Sequence, residues 1–141
     1  MKKPLFAAFL LLTMSGCMSD TQAKDLFDYE GTMIGNNSDV HAIVQGLENG
    51  AAVEEIELHT NEEPYGLTIR YDGVPDEEID RWTRENAGRL FILIDNVRNV
   101  EMELPSRTRS FSKQAMEKET GKRFDEIATI NQWKEVQEWI N

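Results

Sequence analysis

Cysteine is almost absent from this 141-residue chain, where Cys17 stands alone. One cysteine cannot close an internal disulfide or supply a paired-thiolate metal site. Histidine is nearly as scarce. His41 and His59 are the only two, and neither falls in an HExxH pattern, so a zinc site of that kind is excluded. Both are read as surface or boundary side chains. GxSxG and SxxK are missing as well, which removes the common serine-nucleophile arrangements. Gly121-Lys122-Arg123 lacks the upstream glycine and the following Ser or Thr of a phosphate loop, and reads as a helix stop. Basic residues are few, 15 against 26 acidic ones, giving a net charge of −11. Such a chain repels nucleic acid and anionic headgroups. Long apolar runs are limited to residues 4–16, short of the ~20 residues that span a bilayer. No metal, cofactor or nucleic-acid partner is expected.

What is present begins at the N-terminus. MKKPLFAAFLLLTMSG has a basic start, an apolar centre and small residues at its end, the three-part pattern of a secretory signal over residues 1–16. It carries two of the basic residues and none of the acidic ones, so the remainder is more acidic still. The tetrapeptide Met14-Ser15-Gly16-Cys17 resembles the lipobox of bacterial lipoproteins, with Met14 in place of the preferred leucine. The resemblance implies cleavage before Cys17 and attachment of lipid to its thiol. Acyl chains on that residue would hold the protein at the cell membrane, facing outside the cytoplasm. Residues 17–27 are mostly polar and read as a flexible tether.

Residues 28–141 read as a single α+β domain, a small three-stranded, mainly antiparallel sheet with helices packed on one face. Val40, Ile43, Val44 and Leu47 mark one face of a first helix, with Asn37 or Ser38 as its cap and Gly50 as its end. Residues 53–60 and 65–72 alternate as two strands of an antiparallel hairpin, which sets Arg70 opposite a glutamate. Ile79, Trp82, Asn86, Leu90, Leu93 and Val97 step by three and four, predicting a long helix over 77–97, with a buried strand at LFILI (90–94) as the alternative. Val100, Met102 and Leu104 give a third strand that stops at Pro105. Helices follow at 113–120, capped by Ser112 and ended by Gly121, and at 131–141.

Little of this carries chemistry. Asp72, Asp76, Glu77, Glu78 and Asp80 do not follow the EF-hand order and fit an acidic helix start. The stretch GTMIGNNS at 31–38 resembles a phosphate loop only in its glycines. From Asp28 to Glu57 there is no lysine or arginine, so it reads as a turn that starts a helix. Tyr65, Tyr71, Trp82, Trp133 and Trp139 remain, and some of them are expected to form a recognition surface for a ligand or protein partner.

The block YEGTMIGNNSDVHAIVQGL, then IELHTNEEPYGLTIRYD and NAGRLFILIDNVRNVEMEL, resembles a domain of unknown function found in bacilli. Its motifs fall on Gly35, Ser38 and Val40, on Glu57, Leu58, Thr60, Pro64 to Thr68 and Tyr71, and on Asn86, Ala87, Leu90, Phe91, Leu93, Ile94, Asn96, Val97 and Val100. The resemblance implies small envelope lipoproteins, or the extracytoplasmic parts of BlaR-like membrane sensors, and brings no catalytic residues. The expected function is a noncatalytic ligand- or protein-binding lipoprotein. The alternatives are an accessory subunit of a membrane signalling protein and a cell-wall hydrolase using a carboxylate pair.

Overall fold

The computed structural model describes residues 25–140, the side chains of Gln137, Trp139 and Ile140 excepted. The signal, most of the tether, Cys17 and the Trp139 side chain therefore lie outside the described residues.

A 3-10 turn, Leu26–Tyr29, opens the described chain, with Asp25 and Asp28 capping it reciprocally. Leu26 and Phe27 pack against the core, so the folded part begins inside the stretch expected to be tether. Helix α1 (Asn37–Gly46) follows, with Val40, Ile43 and Val44 buried. Its cap is Asn36 rather than Asn37 or Ser38, since the Asn36 side chain accepts from Asp39 N. Gly50 begins a second 3-10 turn instead of ending α1. A Cβ there would meet Gln45 O at 2.2 Å, so backbone approach demands glycine.

The sheet has four strands, β1 (Val53–His59), β2 (Gly66–Tyr71), β3 (Asn99–Glu103) and β4 (Thr108–Ser112), in that spatial order. This corrects the three-stranded expectation while keeping the α+β class. Strands β1 and β2 form the expected antiparallel hairpin, with a bulge that leaves Glu54 as the extra residue. Strands β2 and β3 are parallel and β3 and β4 antiparallel. A parallel pair needs a crossover, and α2 (Ile79–Leu93) supplies it. Helix α2 stops at Leu93, short of Val97, because the chain turns extended at Ile94 to bridge Thr32. Helices α3 (Lys113–Thr120) and α4 (Ile130–Ile140) complete the fold. Ser112 caps α3, and Gly121 ends it in the left-handed conformation (φ 69°).

Strand alternation divides the sheet into two faces. Leu67, Ile69, Tyr71, Val100 and Met102 point inward and are buried. Helix α2 lies in the middle of the covering layer, touching α1, α3 and α4. Among the described residues, no helix covers the opposite face.

Candidate functional site: the open face of the sheet

The strand registers set the outward side chains in three rows across the four strands. Glu55, Arg70, Glu103 and Thr108 form one row; Glu57, Thr68, Glu101 and Ser110 the next; His59, Gly66, Asn99 and Ser112 the third. Every outward side chain is polar, so this face is made to meet water or a polar partner. The last two rows apart from Gly66, together with Glu103, Leu67, Val100 and Phe111, line a shallow depression of about 650 Å³.

Arg70 is clamped between two strands. Its guanidinium bonds Glu55 on β1, and its Nε donates to Glu103 on β3 at 2.9 Å. The Glu103 bond, then the charge of Glu55, raises the Arg70 pKa above its ordinary value and keeps it charged. His59 Nε2 of the third row and Thr68 Oγ1 of the second share a 2.8 Å hydrogen bond, and within the second row Ser110 Oγ donates to Glu101 at 3.4 Å. Glu57 and Glu101 flank Thr68, two strand spacings or roughly 9.5 Å apart.

A second depression of about 450 Å³ lies at the end of β2. It is lined by Glu63, Pro64, Tyr65, Asn96 and Arg98. The Glu63–Pro64 peptide is cis. Tyr65 O accepts from Arg98 N at 2.9 Å and Asn99 N at 3.3 Å, which fixes the α2–β3 loop against this corner. Asn96 Oδ1 accepts from Ile34 N at 2.7 Å, so the GTMIG stretch is fastened to the same loop.

The five aromatics from which a recognition surface was expected separate. Tyr71 and Trp82 are 2% and 1% exposed and meet edge to face at 5.2 Å, so both belong to the core. Tyr71 follows the inward alternation of β2, and Trp82 lies on the buried side of α2. Trp133 is half-buried against Phe27, with ring centroids 5.7 Å apart. Trp139 lies outside the described side chains. Tyr65 lines the depression at the end of β2, and Tyr71, though buried, borders a smaller one beside Arg70 and Glu103. The polar residues of the open face were legible as the outward set of β1 and β2. Those of β4 were not, because that strand was not expected.

The family model of the domain of unknown function DUF4825 matches residues 26–119. The chain belongs to that family. No curated protein and no solved structure matches it. The matched DUF4825 residues contain the whole open face and the Tyr65–Arg98 corner, whereas α4 lies beyond them. Asn86 and Asn96, two residues of the motifs described above, act structurally within the domain. Asn86 Nδ2 donates to Glu48 O at 2.8 Å, tying α2 to the loop after α1. Among the described residues, no helix is long and apolar enough to cross a membrane.

Proposed function

We propose that this DUF4825 protein is a lipoprotein anchored through Cys17 to the cell membrane, outside the cytoplasm, and that its domain is a noncatalytic binding module. The observation that carries the binding reading is the bare face of the sheet, a broad polar grid held rigid by strand pairing. Rigid elements present recognition groups with little ordering cost. The lipobox-like Met14-Ser15-Gly16-Cys17 and the preceding signal pattern support the anchor. The resemblance to extracytoplasmic parts of BlaR-like sensors supports an envelope protein as the partner, which includes service as an accessory subunit of a membrane signalling protein.

The open face favours binding over hydrolysis. Glu57 and Glu101 both stand on a surface reached by solvent, while carboxylate-pair hydrolysis calls for two acids held in unlike environments about a bound substrate.

Two substitutions test the two halves separately. Cys17→Ala is expected to move the protein from the membrane fraction to the medium, and continued membrane retention would refute the anchor. Glu57→Lys with Glu101→Lys, in the anchored protein, is expected to abolish the crosslinked adducts that the unaltered protein forms in cells. Adducts of undiminished yield would show that the open face is not the binding surface.

A further inference from the structure

Arg98 is set apart from the other arginines of this acidic chain. Each of the other seven has a carboxylate oxygen within 4.0 Å. Arg98 has none among the described residues. Its Nη1 is nonetheless fixed, donating to Asp95 O at 2.8 Å and Val97 O at 3.2 Å. Held through Nη1, the guanidinium keeps its other edge, Nε and Nη2, as a parallel pair of donors. That edge matches the two oxygens of a carboxylate.

The surroundings fit the same ligand. Asn96, which lines the same depression as Arg98, spends its Oδ1 on Ile34 N and keeps its Nδ2 as a donor. Pro64 and Tyr65 give that wall a flat apolar part, and the depression of about 450 Å³ lies within the range of small-ligand sites. Lys113 and Arg123 line the depression on the other side of Arg98, both turned toward Asp125. With one fixed cation, Glu63 at the wall and a chain charge of −11, a single negative charge suits the site better than a phosphate dianion.

We infer that the Tyr65–Arg98 corner is a binding site for a carboxylate, held by the Nε–Nη2 edge of Arg98 and Asn96 Nδ2, with its stem against Pro64 and Tyr65. The inference deepens the binding-module reading by naming a ligand class, and it does not depend on Cys17 or on the glutamates of the open face.

The test is a titration of the full chain in detergent, followed by NMR through the Arg98 Nε–H signal. N-acetyl-alanyl-alanine stands for a peptide C-terminus and benzoate for a small organic acid. Saturable binding of either supports the site and identifies the source. The C-terminal amide of the dipeptide, or benzamide, is expected to bind roughly ten-fold or more weakly, the loss of a charge-assisted pair. Arg98→Lys keeps a cation but loses the two-donor edge. Asn96→Asp keeps the acceptor for Ile34 N while replacing the donor with a negative charge. Both are expected to melt within a few degrees of the parent and to bind the acid at least ten-fold more weakly. Equal binding of acid and amide, tighter binding of inorganic phosphate, no binding of either acid at millimolar concentration, or unchanged affinity in the folded variants would overturn the inference. Failure here, with the crosslinking of the open face intact, would leave the broader binding reading standing.

Discussion

Tyr71 shows how a residue that looks functional in a sequence becomes structural in a fold. Its ring packs edge to face on Trp82, and burial pushes its phenol up to about 12. The Asn86 side chain pulls the other way, but no hydrogen bond of good geometry reaches the hydroxyl, so burial dominates. A phenol raised in the folded state favours folding fully below the unfolded value of 10. That contribution is lost as pH climbs through about 12. The group thus accounts for about 2–3 kcal/mol of stability disappearing across that window. Denaturant melts at pH 9 and pH 12 should show this loss in the parent and its absence in Tyr71→Phe, whose stability at pH 7 should stay within about 1 kcal/mol. An identical alkaline loss in both proteins would contradict the assignment. The alternation of β2 already placed Tyr71 with Leu67 and Ile69, so its burial was legible. The partner that covers it, Trp82, comes from an element whose docking depends on three dimensions.

The elements divide by how strongly their pattern repeats. Helix α2 was legible over most of its length because Ile79, Trp82, Asn86, Leu90 and Leu93 keep helical spacing. Its end was not, since Ile94 leaves the helix to pair with Thr32, more than sixty residues away. Strand β4 was invisible for a different reason. Its inward positions are Arg109 and Phe111, and Arg109 lies over the Phe111 ring at 5.6 Å while reaching Asp80 at 3.4 Å. An arginine at an inward position, its guanidinium over an aromatic ring, breaks the apolar alternation that identifies a strand. The cap of α1 was misplaced by one or two residues because the run Asn36-Asn37-Ser38 offers three suitable side chains. Asn36→Ala should therefore cost about 1 kcal/mol of unfolding free energy, and Ser38→Ala a few tenths. The reverse order in paired denaturant melts would restore Ser38 as the cap.

Across the whole molecule, the DUF4825 match stops at residue 119, yet the core does not. Phe124, Ile127 and Val136 are buried, and Trp133 packs against Phe27 near the start of the described residues. The last helix starts with a reciprocal cap, in which Thr129 N donates to Gln132 Oε1 and Gln132 N to Thr129 Oγ1. Truncation after Ala128 removes Trp133 and Val136 while leaving the sheet and its main covering helix. We expect it to lower stability by about 2–4 kcal/mol without abolishing the far-ultraviolet signature of the fold. Unchanged stability would mean that α4 is not part of the core.

The irregularity in β1 bears on crowding. A sheet of four strands has two edges, and an edge presents unpaired backbone groups to any passing copy. On β1, the bulge at Glu54 interrupts the spacing that a second strand would have to match. Glu54, Glu55 and Glu57 would face their own like charges across such a junction. Where copies crowd together, strand pairing through the β1 edge would have to overcome both the broken spacing and this repulsion between glutamates.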